Sequence, residues 1–142
     1  MSSTTAADRA VLLGRCLLSL PFILGAGHAL AEPGSLPDAA RSLGLPQPEL
    51  LTHATAGLML GGAVAVGAGL APATGGAVLA GSLLGTTMVV HSFWRESEAP
   101  VRAAHQRAFV ANCGLLGGVV VMTAQAYTGR RARRADQCAA GH

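Results

Sequence analysis

Four long apolar runs alternate with short polar segments along this chain. The runs cover residues 10–31, 50–71, 74–94 and 107–128. An α-helix rises about 1.5 Å per residue, so a run of about 20 residues spans the roughly 30 Å hydrocarbon core of a bilayer. The pattern predicts an all-α fold, a four-helix transmembrane bundle with both termini on the same side of the membrane.

The polar segments between the runs predict where the helices turn. Residues 32–49 are rich in proline and glycine, and residues 38–43 within them favour a short helix at the membrane interface. Pro72 interrupts the second and third runs, which are therefore expected to form a tight hairpin. Gly129 follows the fourth run and predicts the end of that helix.

The composition indicates that lipid is the solvent for most of the chain. Of 142 residues, 51% are hydrophobic and 12% are charged, whereas a soluble domain carries about 25% charged residues. The mean hydropathy is +0.45. The length fits one domain over residues 1–142, with residues 1–8 as a mobile N-terminus and residues 129–142 as a basic C-terminal tail.

The arginines predict an orientation. The chain has no lysine, which suggests a GC-rich bacterial source, and four of its ten arginines lie in the sequence RRARR at 130–134. Basic clusters beside membrane spans are typical of cytoplasmic segments and attract anionic lipid headgroups. The protein is therefore expected in the bacterial plasma (inner) membrane, multi-pass, with cytoplasmic termini. The same cluster is better explained by the bilayer than by nucleic acid.

The first run has a second interpretation. Arg9, an apolar stretch and the sequence ALA at 29–31 resemble a secretory signal peptide with its cleavage site. Arg15 interrupts that stretch, and signal-peptide cores are normally uncharged. A retained first helix is the favoured interpretation, and the intact mass of the purified protein decides between them.

Arg15 is the residue whose placement in a membrane is most unfavourable. An arginine at the centre of a membrane helix costs about 2.5–3.5 kcal/mol on insertion scales and marks a candidate functional site. Counted by depth, Thr123 and Gln125 of the fourth run lie at a similar level and are candidate partners in an intramembrane polar pair. The alternative is that the side chain extends to the cytoplasmic headgroups.

Three G-x-x-x-G pairs predict helix packing. Small residues four apart form a flat helix face that lets a neighbouring helix approach closely in lipid. The pattern does not distinguish packing within the chain from formation of a homodimer. The pairs are Gly57 with Gly61, Gly81 with Gly85, and Gly114 with Gly118.

Four of the five histidines lie towards the outer face of the membrane by helix counting, three of them at a common depth and His105 further out. They and a nearby asparagine are candidate contacts for a quinone or lipid headgroup, or for a metal ion or haem. Interfacial packing without any ligand is the alternative. These residues are His28, His53, His91, His105 and Asn112.

Several short motifs resemble one family. They are Arg15, GAGH at 25–28, GG at 61–62, HSFW at 91–94 and NCGLLG at 112–117. Together they resemble the DoxX-like family of small four-helix bacterial membrane proteins, which is related to a subunit of thiosulfate:quinone oxidoreductase. The resemblance implies a four-helix membrane subunit associated with quinone-linked redox chemistry.

The chain departs from the family at two positions. The family often has a lysine where this chain has His28, and an acidic residue where it has Gly57. A buried acid–base pair built from those two positions is therefore not expected here.

The function expected from these features is an accessory one. No nucleophile paired with a base, phosphate-binding loop or dinucleotide fingerprint occurs in the sequence. The protein is expected to be a non-catalytic or accessory subunit, or scaffold, with quinone as the candidate ligand and a redox enzyme as the candidate partner. Two alternatives remain. One is a small transporter-like bundle, and the other is an enzyme with a histidine-ligated metal or haem at the outer face.

Overall fold

The computed structural model describes residues 2–140, and these residues form five α-helices and one 3-10 turn. The 3-10 turn covers Phe93–Arg95 and lies between the last two helices. The helices are α1 (Ser2–Ala31), α2 (Leu36–Ser42), α3 (Pro48–Gly67), α4 (Pro72–Val90) and α5 (Ala99–Ala140).

Four of these helices confirm the predicted transmembrane bundle. Each is long and apolar enough to cross a bilayer, and four successive crossings place both termini on the same side. The short helix α2 lies between the first two crossings, close to where the sequence predicts an interfacial helix. The candidate spans are Ala6–Ala31, Pro48–Gly67, Pro72–Arg95 and Ala99–Arg131.

The helix ends differ from the predicted ones for identifiable reasons. Helix α3 ends at Gly67, before the predicted residue 71, because Gly69 adopts a φ of +70° that a right-handed helix excludes. The predicted stop at Gly129 is wrong. Gly129 stays helical within α5, and the alanines and arginines after it are good helix formers.

The two termini are helical as far as they are described. Helix α1 begins at Ser2 and α5 ends at Ala140, so both spans extend beyond their apolar runs. Met1 and residues 141–142 of the predicted termini lie outside the described residues. The mobility of residues 1–8 stays a prediction.

The core is small and draws on all four spans. Helix α1 packs against α3, α3 against α4, and α4 against α5, so α3 and α4 form the centre of the bundle. Many other large apolar side chains are exposed, as expected where lipid surrounds the helices. The buried cluster consists of Phe22 from α1, Ala63 and Val66 from α3, Leu79 and Leu83 from α4, and Val119 from α5.

The central hairpin depends on two facing glycines. A Cβ atom added to Gly75 would lie 2.8 Å from the backbone oxygen of Gly62, and one added to Gly62 would lie 3.1 Å from the oxygen of Gly75. Real Cβ atoms essentially never come as close as the first of these distances. Only glycine at position 75 lets the α3 and α4 backbones approach this closely.

The glycines predicted to pack the helices are mostly different ones. Five of the six predicted glycines (Gly57, Gly61, Gly81, Gly85 and Gly114) have open space where a Cβ would be. The sixth, Gly118, contacts Leu18 of α1, with its Cβ position 3.2 Å from a Leu18 methyl carbon. None of these five glycines therefore makes a close contact with a neighbouring helix of the same chain, because spacing along one helix does not reveal which face meets a neighbour. Their use in a homodimer stays a prediction.

We expect Gly75→Ala to lower the free energy of unfolding by about 1–3 kcal/mol, the usual effect of overpacking. The added methyl group would press on the Gly62 oxygen. The measurement is reversible unfolding in mixed micelles, followed by circular dichroism. Gly81→Ala on the same helix is the matched control and should be neutral or stabilising by up to about 1 kcal/mol, since alanine favours a helix. Equal effects of the two substitutions would contradict the backbone contact.

Candidate functional site

A cavity of about 600 Å³ lies among the helices, in the half of the bundle nearest α2. None of its lining residues, all within the described part of the chain, is charged. Exposed residues such as Pro21, Leu58 and Gly85 line it, so it opens at the surface of the bundle. Because these three residues belong to membrane spans, the opening faces lipid.

Two of the glycines predicted to pack helices make room for this cavity. Gly81 and Gly85 line its α4 wall, and neither would bring a Cβ within 4 Å of another atom. Ser82 and Thr86 lie on the same wall and expose small polar groups to it. The cavity exists because this stretch of α4 has small side chains while the other half of the helix packs closely on α3.

Helix α2 closes the end of the cavity that is nearest the membrane surface. Leu36 and Ala40 of α2, and Leu45 just after it, line the cavity. Arg41 donates to Glu49 at the start of α3 with an Nη2–Oε1 distance of 2.6 Å. Exposed ion pairs contribute little stability, so apolar contacts hold α2 in place and the ion pair only orients it.

The polar groups of the cavity are hydroxyls and one amide. The Thr52 hydroxyl donates to the Pro48 backbone oxygen at 2.8 Å. No hydrogen bond within the described residues engages the hydroxyls of Thr55, Ser82 and Thr86. These three groups are therefore available to a ligand. The sequence analysis missed them because an uncharged hydroxyl in an apolar run carries no signal; the four-residue spacing of Ser82 and Thr86 beside the glycines is the only hint.

Asn112 joins α5 to α4 beside the cavity. Its Nδ2 donates to the hydroxyl of Thr87 at 3.0 Å, and Asn112 also lines the cavity. An amide nitrogen carries two donors, so a second N–H remains after this bond. Among the candidate ligand contacts predicted from the sequence, Asn112 lines the cavity and the four histidines do not.

Two of the four candidate histidines come together. The ring centroids of His91 and His105 lie 5.6 Å apart, and the Nδ1 atoms of both rings are buried without a hydrogen-bond partner. The other two lie apart from them. His28 is exposed at the end of α1, and His53 is exposed with its Nδ1 2.8 Å from the Glu49 backbone oxygen.

The described residues provide no conventional metal centre. Among them, no group of three or more His, Cys, Asp or Glu side chains converges. The cysteines Cys16, Cys113 and Cys138 are all free and exposed. Of the four candidate histidines, the structure brings together one pair, His91 and His105.

An aromatic cluster holds the loop that carries His91. Phe93 lies 5.2 Å from Trp94 and 5.5 Å from Phe109, and Trp94 lies 6.0 Å from Phe109, measured between ring centroids. All three pairs meet edge to face, the arrangement that aromatic rings favour. The cluster packs the 3-10 turn against α5 and so fixes the approach of the two histidines.

Arg15 lies at the opposite end of the bundle from the cavity. It is half-buried, and its guanidinium rests on the α3–α4 turn, where Nη1 is 2.8 Å from the Cβ position of Gly69. Its Nε is buried without a hydrogen-bond partner. The predicted pair with Thr123 or Gln125 is not formed. The Thr123 hydroxyl donates to the Val119 backbone oxygen at 2.6 Å, and Gln125 is exposed.

The fold and the site define a small four-span helical membrane protein with a lipid-facing cavity. The model of the DoxX family matches residues 10–92, more than half of the chain, and the protein therefore belongs to the DoxX family. This confirms the resemblance seen in the sequence. The match ends at Ser92, so α5, which supplies Asn112 and His105, lies beyond it. Searches of curated proteins and of solved structures gave no match.

A double-mutant cycle on Asn112→Ala and Thr87→Val should give a coupling energy of about 0.6 kcal/mol and at most about 1.7 kcal/mol, the range for hydrogen bonds between membrane helices. The measurement is the free energy of unfolding in mixed micelles. Thr128→Val is the matched control, because the Thr128 hydroxyl bonds only to carbonyls of its own helix. The effects of Asn112→Ala and Thr128→Val on the free energy of unfolding should simply add. If the effects of Asn112→Ala and Thr87→Val also add, the hydrogen bond between them does not stabilise the packing of α4 and α5.

Proposed function

We propose that this DoxX-family protein is a non-catalytic membrane subunit that binds a quinone in its lateral cavity and serves a partner redox enzyme. The observation that carries the proposal is the cavity itself. It is largely apolar, uncharged, of about 600 Å³ and open at the surface of the membrane spans. Small-molecule sites have volumes of about 300–1,000 Å³ and few, well-placed polar groups.

The chemistry of the lining favours a neutral ligand that accepts hydrogen bonds. A carboxylate or phosphate headgroup in this cavity would be a buried charge without a counter-ion, which is strongly unfavourable. The free hydroxyls of Thr55, Ser82 and Thr86 and the second N–H of Asn112 are donors. Two ring carbonyls and an apolar tail, as in an isoprenoid quinone, match these donors and the opening to lipid.

The lining also supports an accessory role. None of the residues around the cavity is a cysteine, histidine or carboxylate. Reduction of a quinone needs two electrons and two protons, and the cavity lining supplies neither an electron carrier nor an acid. A partner protein must therefore bring the electrons, while this chain binds and orients the quinone.

We place the protein in the bacterial plasma membrane with both termini in the cytoplasm. The arginine cluster at 130–134 supports this orientation. Arg131 lies over the ring of Tyr127, with its Cζ 5.0 Å from the ring centroid. An aromatic ring with a cation above it is typical of the headgroup zone, so Tyr127 marks where α5 leaves the bilayer. In this orientation the cavity lies towards the outer leaflet.

Filling part of the cavity should weaken quinone binding. Gly85 lines the cavity, and a Cβ added there meets no atom within 4 Å. We therefore expect Gly85→Leu to fill part of the cavity and to weaken binding of a short-chain ubiquinone analogue at least about tenfold, the effect of losing about 1.4 kcal/mol. The measurement is equilibrium binding to the purified protein in nanodiscs, with quinone content of the native extract as a second readout.

Gly57→Leu is the matched control for this experiment. Gly57 is also an open, exposed glycine of a membrane span, but it does not line the cavity. The Gly57→Leu substitution should leave the affinity for the ubiquinone analogue unchanged. Equal loss in both variants, or binding by neither variant nor the unmodified protein, would overturn the cavity as a quinone site.

The partner is tested separately. Mild-detergent extraction of tagged protein from its native membrane should recover a second protein with flavin, haem or iron–sulfur absorbance. The Gly85→Leu variant should retain that partner while the quinone-reductase rate of the complex falls. If the tagged chain is recovered without a second protein, both from untreated membranes and after cross-linking in the membrane, the accessory role is contradicted.

A further inference from the structure

We propose that His91 and His105 together bind a transition-metal ion at the α4–α5 loop, a site separate from the cavity. The inference does not depend on quinone binding. It rests on the approach of the two rings and on the two Nδ1 atoms that are buried without partners.

The spacing of the rings fits a shared ion. A metal bound at about 2.0–2.1 Å from an imidazole nitrogen lies about 3.2 Å from the ring centroid, because the nitrogen is itself about 1.15 Å from that centroid. The observed centroid separation is 5.6 Å. Two rings that both direct a nitrogen at one ion would, at that separation, subtend an angle of about 120° at the ion, close to tetrahedral or trigonal geometry. The two rings are therefore close enough for one ion to contact a nitrogen of each.

Both ligands are held before the ion arrives. His91 directly follows α4, and its backbone N–H donates to the Thr87 oxygen at 3.0 Å. His105 lies on the second turn of α5. The aromatic cluster of Phe93, Trp94 and Phe109 packs the intervening loop onto α5. An ion therefore pairs two buried nitrogens without ordering a flexible loop.

The ligand set determines the class of metal. Neutral imidazole suits Zn²⁺, Cu²⁺ and Ni²⁺, whereas Mg²⁺ and Ca²⁺ require oxygen ligands. The described residues add no third His, Cys, Asp or Glu to the pair. Water therefore completes the coordination, and the site should be exchangeable, with Cu²⁺ bound more tightly than Zn²⁺ according to the Irving–Williams order.

The test is Zn²⁺ and Cu²⁺ titration of untagged protein by isothermal calorimetry, in a background where the three exposed cysteines are replaced by serine. We expect one ion per chain, no response to Mg²⁺, and at least a tenfold loss of affinity in both His91→Gln and His105→Gln. His28→Gln and His53→Gln are the matched controls and should bind as before, because both side chains are exposed and lie apart from the pair.

A second readout guards against loss of folding in the variants. The electron paramagnetic resonance spectrum of bound Cu²⁺ should show coupling to two imidazole nitrogens in the His28→Gln control. In His105→Gln the coupling to the second imidazole nitrogen should be absent. Helix content measured by circular dichroism should be equal in all variants. Absence of binding at one ion per chain, or equal loss in His53→Gln and His105→Gln, would overturn the proposal.

Discussion

The bundle depends on one backbone contact, the approach of Gly75 in α4 to the backbone oxygen of Gly62 in α3. Lipid gives two apolar helices no hydrophobic reason to associate, so close backbone packing must supply the attraction. Helix α1 packs on α3 and α5 packs on α4, so each outer helix rests on one member of this pair. A loss of the contact would affect all four spans.

The same two helices explain the cavity. They pack closely in the half that ends at the Gly69 turn, and the cavity lies in the other half, where glycines, serine and threonines line α4. Helix α2 covers the end of the cavity in that half. Close packing at one end and an open wall at the other are thus two consequences of where small residues occur along α4. Glycine allows close contact when a neighbour faces it, and leaves space when none does.

Polar side chains at the end of the bundle nearest α2 lie partly within the family match and partly beyond it. Thr87 and His91 lie within it, whereas Asn112 and His105 lie on α5, beyond it. The hydrogen bond from Asn112 to Thr87 and the contact between the His91 and His105 rings join the matched part of the chain to α5. The proposed quinone and metal sites both use α5 residues, so their chemistry is not carried by the matched segment alone.

The sequence by itself determined the solvent, the number of spans, the short helix after the first span and the family, because burial of backbone polar groups in lipid forces an apolar run into a helix. Only the tertiary structure decided which faces meet. Depth along a helix follows from counting at a fixed rise, but rotation about the axis does not. That is why Arg15 rests on Gly69 instead of pairing with Thr123, why His91 meets His105 while His28 and His53 stand apart, and why Gly62 and Gly75 pack where Gly57 and Gly81 do not.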